Sequence, residues 1–237
     1  MCEHIATMQR YELKYILSPN QTEELLKRLD GYMREDAYGL TSIASLYFDT
    51  PDRALIRASI EKPEFKEKLR LRSYGQACEN STLFLELKRK ADGIVYKRRI
   101  ATNQRSVDEF LSGRDDVFEE SQIAREIKFF RDHYKTLVPS CMIIYDRTAY
   151  FEPNGDLRMT IDRNPRYRTE DLLLTSGMDG VSLLPEGYTI LEIKVQASLP
   201  LWLTKILSEI KSYNGGFSKY GEAYKRQILQ NNNYMVV

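Results

Sequence analysis

The sequence predicts an α+β fold, mainly antiparallel β: an eight-stranded β-barrel with peripheral helices. Three observations predict it. Eight segments of the 237-residue chain alternate apolar and polar residues with the period of 2 that a strand requires. Turn-forming stretches separate them, among them Asp92-Gly93, a strong hairpin signal. Helical periodicity is confined to a few stretches, and no repeat, low-complexity tract or linker breaks the chain, so it reads as one domain over 1–237.

Gln9–Leu17 alternates as the first strand. Ser18, Pro19 and Gln21 then form an N-cap, a first helical position and a capping-box partner, opening a helix expected to run to about Arg34. "SIASLYFDT", "FKEKLRLRSY", "TLFLELKRK" and "GIVYKRRI" follow as strands. Ser106–Leu111 and "SQIAREIKFFRDHYK" are helical, and "CMIIYDRTAYF", the turn "EPNGD", "LRMTIDR" and "YTILEIKVQ" complete the strand set. "LPLWLTKILSEIKSYN" predicts an amphipathic helix ended by Gly215-Gly216, with Trp202, Leu203, Ile206, Leu207 and Ile210 at core spacing. "SKYGEAYKRQIL" is a second short helix.

The charges are patterned within the strands. "FKEKLRLRSYG" sets Lys66, Lys68, Arg70 and Arg72 on one face against Phe65, Leu69 and Leu71. The pattern recurs with Arg10, Glu12 and Lys14, with Glu86, Lys88 and Lys90, with Lys97 and Arg99, with Arg158, Thr160 and Asp162, and with Glu192 and Lys194. For one strand the ordinary account is a solvated outer face. Solvated faces mix Thr, Ser, Gln, Glu and Lys, whereas these carry Arg and Lys with about one acid apiece. Convergence on a shared lumen, with the apolar faces packed on helices, fits better. Converging cations repel unless a polyanion fills the space, and sparse glutamates suit a divalent metal bridging to it.

Taken in order, "RYELKY", "SLYFDT", "KLRLRSYG", "LELKRK", "YDRTAY", "LRMTIDR", "LEIKVQ" and "FSKY" resemble the triphosphate tunnel metalloenzyme (CYTH-like) superfamily. Within it they resemble the polyphosphate polymerase domain of the vacuolar transporter chaperone (VTC) family and its bacterial relatives. The resemblance spans Arg10 to Tyr220, and the tunnel-domain core is expected over about 9–228. It implies a basic β-barrel tunnel that grips a triphosphate or polyphosphate, with ATP as γ-phosphoryl donor and Mn²⁺ or Mg²⁺ as cofactor. Lys14, Arg70, Arg72, Lys88, Lys97 and Arg158 match phosphate-binding positions, and Ser218 and Lys219 match one end of the tunnel. Glu192 matches the metal-binding glutamate, with Glu12 and Glu86 as further candidates. Arg10, Arg99, Arg147 and Lys194 are expected to line the site.

Two departures accompany the resemblance. Hydrolytic relatives begin with Glu-x-Glu-x-Lys, whereas Arg10 occupies the first position here, which disfavours two-metal hydrolysis. Gly216 stands where a related polymerase carries a lysine. A triphosphatase or tripolyphosphatase and a non-catalytic polyphosphate-binding module remain as alternatives.

The rest of the sequence bounds the function. Lys plus Arg number 35 against 34 Asp plus Glu, a net charge of +1, which argues against a nucleic-acid partner. Cys2, Cys78 and Cys141 are odd in number and widely spaced, which argues against a disulfide framework or zinc site and fits a reducing compartment. With no apolar run long enough to span a bilayer and no signal-peptide pattern, a cytoplasmic location is expected, with a membrane-protein partner allowed by the resemblance. The attacking group in polymerisation is an anionic terminal phosphate, so no general base is required. His4 and His133 accordingly take no catalytic role.

Overall fold

A computed structural model describes residues 11–61, 64–91 and 94–234, the final turns of the chain by backbone alone. In chain order the elements are β1 (Tyr11–Leu17), α1 (Pro19–Lys27), β2 (Arg34–Glu35), β3 (Thr41–Asp49), α2 (Ala54–Glu61), β4 (Lys66–Tyr74), β5 (Leu83–Ala91) and β6 (Ile94–Thr102). There follow α3 (Gln104–Leu111), α4 (Gln122–Tyr134), β7 (Val138–Phe151), β8 (Arg158–Arg168), β9 (Val181–Ser182), β10 (Thr189–Val195), α5 (Leu201–Glu209) and α6 (Lys219–Tyr234). All eight expected strands are present, and β2 and β9 add two residues each at the sides of β7 and β8.

The chain divides into two compact units. The first comprises the chain up to Leu40, Arg147–Arg163 and Glu186–Phe217; the second comprises Thr41–Asp146, Asn164–Pro185 and the chain from Ser218. In the first, β10 lies between β1 and β8, antiparallel to both. Leu13, Tyr15, Leu17, Met159, Ile161, Leu191 and Ile193 turn one way and pack with Leu25 and Leu29, on and just beyond α1, and with Leu203, Ile206 and Leu207 of α5. In the second unit the order is β7-β3-β4-β5-β6. There Leu69, Leu71, Leu85 and Leu87 pack against Val107 and Phe110 of α3 and Ile127 and Phe130 of α4. In both units helices therefore cover the apolar faces, and the charged side chains take the other side.

Several boundaries differ from the sequence reading. The capping box opens α1 as expected, with Gln21 N–H donating to Ser18 Oγ (3.4 Å) and Ser18 N–H to Gln21 Oε1 (2.9 Å). The helix stops at Lys27 instead of Arg34, because the chain turns through Gly31, whose φ of +81° lies in the left-handed region that glycine tolerates. The first strand's Arg10 lies outside the described residues, as does the Asp92-Gly93 turn, although β5 and β6 pair up to Ala91 opposite Ile94.

Helix α2 was not anticipated. Its orphan N–H groups are capped from a distance: Asp49 accepts from Leu55 N–H (2.9 Å) and Ile56 N–H (3.0 Å), and Thr50 Oγ1 accepts from Ala54 N–H (2.8 Å). Helix α5 ends at Glu209 rather than Asn214. Lys211 is left-handed at φ 53°, and Ser212 N–H donates to Leu207 O at 2.9 Å. The following residues then join β1, Asn214 Oδ1 accepting from Lys14 N–H (3.2 Å) and Gly215 N–H donating to Lys14 O (2.8 Å). Strand β8 runs five residues past Arg163, carrying Pro165.

Candidate functional site

The register of β4, β5 and β6 builds the basic face of the second unit. Arg70, Glu86 and Arg99 form one cross-strand row, and Lys68, Lys88 and Lys97 form the next. Glu86 is 1% exposed and sits at the centre of the cations. Its Oε2 accepts from Arg70 Nε (2.8 Å) and Nη2 (2.7 Å) and lies 3.8 Å from Arg72 Nη1. Its Oε1 accepts from Arg99 Nε (2.7 Å) and pairs with Lys97 Nζ (2.8 Å). Burial would raise the Glu86 pKa, but the charges of Arg70, Arg72 and Lys97 outweigh it and hold the carboxyl well below the usual range. Glu86 thus acts as the internal counter-ion of the cluster, and its two oxygens are taken by protein cations.

Neutral groups orient the outer arginines. Arg72, buried, donates to Ser45 Oγ and Tyr145 Oη, both at 3.2 Å. Arg70 Nη1 donates to Tyr47 Oη at 2.9 Å, and Arg99 Nη2 to Tyr74 Oη at 2.8 Å, with the Arg99 guanidinium 4.6 Å from the centre of the Phe84 ring. Tyr47 also stacks on Tyr220 at 4.5 Å between ring centres. Burial opposes ionisation of Tyr47, yet Arg70, Lys68 and Arg72 bring its phenol down to about 8. Burial, together with Arg72 and Arg70 and against the pull of Glu86, brings the Lys97 ammonium down to about 8 as well.

The start of α6 adds two expected residues to the second unit. Ser218 Oγ accepts from Gly221 N–H (3.2 Å) and from Lys68 Nζ (3.4 Å), so it links the helix start to the basic face. Lys219 Nζ lies 4.4 Å from the centre of the Tyr145 ring, whose hydroxyl serves Arg72.

The first unit places the remaining residues. Lys14 stands opposite Glu192, and Glu12 opposite Lys194, across β1 and β10. Lys14 Nζ is 2.9 Å from Glu12 and 3.7 Å from Glu192, and Lys194 Nζ is 2.9 Å from Glu192. Arg147 Nη2 lies 3.9 Å from Glu192, and Arg147 forms a two-point pair with buried Asp162 at 2.6 and 2.8 Å. Arg158, in register with Lys194, is exposed and lies 5.5 Å over the Phe151 ring. Thr160, in register with Glu192, has a buried hydroxyl with no hydrogen-bond partner. Among the described residues no three His, Cys, Asp or Glu side chains come together as a metal cluster.

A family model described as the VTC domain matches residues 9–228. The chain belongs to the VTC domain family. This VTC domain is 27% identical, over 84% of its length, to "Vacuolar transporter chaperone complex subunit 4" of Schizosaccharomyces pombe, and it spans 34% of that relative. Two solved structures share its fold. One is a candidate adenylate cyclase from Bacillus halodurans, with TM-score 0.55 and 13% identity over 89% of this chain and 96% of that one. The other is a candidate adenylyl cyclase from Hippeastrum with a dominant triphosphatase activity, with TM-score 0.52 and 19% identity over 90% of this chain and 93% of that one.

The sequence reading of the VTC domain passed over Tyr47, Ser45, Tyr145 and Asp162 as site residues. Their signal was present as polar positions on the charged faces: Tyr47 and Ser45 stand directly opposite Arg70 and Arg72. Only the pairing of β3 with β4 assigns them to those arginines.

Proposed function

We propose that this VTC domain is a metal-dependent polyphosphate polymerase that transfers the γ-phosphoryl group of ATP to a growing polyphosphate chain. One observation carries the reading: the Arg70, Arg72, Lys97 and Arg99 side chains converge on one buried carboxylate, with Lys68 and Lys88 in the same row as Lys97. Phosphoryl transfer asks the protein mainly for positioning and for neutralisation of the equatorial oxygens. Arg70 and Arg99 present planar forks whose orientation is fixed by Glu86, Tyr47 and Tyr74. Lys68, Lys88 and Lys97 supply point charges, and Lys219 and Ser218 extend the grip. Membership of the VTC family supports the substrate class.

Glu192, with Glu12 beside the shared Lys14, fits a divalent ion that takes one or two carboxylates from the protein and its other ligands from phosphate. The orphaned Thr160 hydroxyl in register with Glu192 is consistent with a further polar ligand there. When bound, Mn²⁺ or Mg²⁺ would neutralise phosphate charge and steady the transferring group. Lys14, Lys194 and Arg147 surround Glu192 with positive charge. No helix among the described residues is long and apolar enough to cross a membrane. The relative's place in a transporter chaperone complex supports a membrane-protein partner for this domain.

Incubating the protein with ATP and Mn²⁺ or Mg²⁺ and resolving the products on a gel tests the reading. A ladder of polyphosphates with release of ADP is the expected result. Free phosphate with no ladder would replace the polymerase by a hydrolase. Tight polyphosphate binding with no turnover under any metal would replace it by a binding module.

A further inference from the structure

The charged face of β4–β6 changes character at one end. Its rows run Lys68–Lys88–Lys97, then Arg70–Glu86–Arg99, then Arg72–Phe84–Ala101. Tyr74 follows two residues on along the same face of β4, opposite Ile43 of β3. From the Arg72 row outward, Phe84, Ala101, Tyr74 and Ile43 are therefore uncharged. These positions give a phosphate little to hold, but they offer aromatic surface to a flat ring.

Tyr74 is open to solvent and yet fixed. It is 48% exposed. Its hydroxyl accepts from Arg99 Nη2 at 2.8 Å, and its ring meets Phe84 edge to face, with centres 5.6 Å apart and planes at 77°. Just behind it, Gly75 N–H donates to Ser42 O at 2.7 Å and ties down the backbone. A lone exposed tyrosine on a strand is ordinary and needs no explanation. This one is already oriented beside the arginines of the site, so a ring stacking on it would cost little further side-chain freedom.

We propose that Tyr74, buttressed by Phe84, is the stacking platform for the base of a nucleoside triphosphate whose phosphates lie along the Arg70 and Lys68 rows. The platform rests on the ATP-dependent reading above and adds to it where the nucleoside of the donor sits. Successive rows are two residues apart, about 6.6–6.8 Å along a strand, so a base on Tyr74 leaves its triphosphate directed along the arginine and lysine rows. Arg99 joins the two parts, since it donates to Glu86 from Nε and to Tyr74 from Nη2. Stacking uses the π-face that every base presents. The platform accordingly separates a nucleoside triphosphate from an inorganic one, and does not separate one base from another.

The test compares Tyr74→Leu with Tyr74→Phe by metal-free titration of ATP and, separately, of tripolyphosphate. Both variants lack the hydroxyl that Arg99 uses, so the difference between them reads the ring alone. Tyr74→Leu should bind ATP roughly tenfold more weakly than Tyr74→Phe, and the two should bind tripolyphosphate alike. Matching thermal melts without ligand confirm that both are folded. Equal ATP affinity in the two variants overturns the platform. So does an equal loss for both ligands in Tyr74→Leu, because the ring would then act through Arg99 alone. A wild type that binds tripolyphosphate but not ATP also overturns it and leaves a phosphate site without a nucleoside. A wild type that binds neither ligand removes the phosphate reading itself along with the platform, an outcome distinct from the others.

Discussion

The charged face of β4–β6 carries eight cations, Lys66, Lys68, Arg70, Arg72, Lys88, Lys90, Lys97 and Arg99, and within these strands the one carboxylate of Glu86, which meets Arg70, Arg72, Lys97 and Arg99. The charged face of β1, β10 and β8 instead alternates three carboxylates, Glu12, Glu192 and Asp162, with three cations, Lys14, Lys194 and Arg158. Both faces arise from the same period-2 pattern, and both back onto an apolar face covered by helices. The difference is one of balance. A balanced face is stable by itself and offers carboxylates to a cation, whereas a face with a large positive excess is completed by an anion. On the proposed function, the second unit's face would suit phosphate and the first unit's face would suit a metal ion.

The largest effect should come from the balanced face. Glu192→Gln keeps the shape and removes the charge that would hold the metal, so turnover of ATP should fall by orders of magnitude. Metal-free tripolyphosphate binding should be unchanged or stronger, because one acid is gone. A variant with wild-type turnover would dissolve the division of tasks between the faces.

Glu86→Gln attacks the other face at its centre. Breaking a buried pair from one side costs about 3–5 kcal/mol, since it leaves Arg70, Arg72, Lys97 and Arg99 without their counter-ion. Urea unfolding at neutral pH measures this, and tripolyphosphate should restore more stability to the variant than it adds to the wild type. Because the folded-state pKa of Glu86 is depressed, its contribution is present above the ordinary carboxylate range and is lost as pH falls through the folded value. The wild type should therefore lose stability on acidification more steeply than Glu86→Gln. A stability loss under 1 kcal/mol for the variant would deny Glu86 its counter-ion role.

Arg70→Ala removes one fork from the phosphate while Glu86 retains Arg72, Lys97 and Arg99. Tripolyphosphate binding should weaken by about 1.5–3 kcal/mol, as for hydrogen bonds to charged groups. Arg158→Ala, exposed and over Phe151, should cost less; the reverse order in a titration would shift the phosphate grip to the first unit.

The smallest effect is with pH. As pH rises through about 8, Lys97 loses its positive charge and Tyr47 gains a negative one. Both changes make the second unit's face less positive. Tripolyphosphate affinity should hold below that range and fall several-fold above it, with proton uptake on binding near pH 8. Tyr47→Phe should flatten part of the fall. Affinity constant from pH 7 to 9.5 would show that neither group titrates in the site.

The eight strands were legible because their alternation is strong and local, and so were the two sets of charged residues, since position along a strand fixes the face. The Ser18 capping box was legible for the same reason: its partners lie three residues apart. Helix α2 was not, because its cap is the Asp49 carboxylate at the end of the preceding strand, across a turn that local spacing does not encode. The end of α5 escaped for a related reason, since Asn214 and Gly215 leave the helical pattern to bond with Lys14, two hundred residues earlier. The sequence by itself determined which side chains are charged and which face of a strand carries them. Tertiary structure alone decided which strands are neighbours. Strand order sets Glu86 among four cations and Glu192 beside Lys14, because cross-strand register, unlike period 2, depends on residues far apart in the chain.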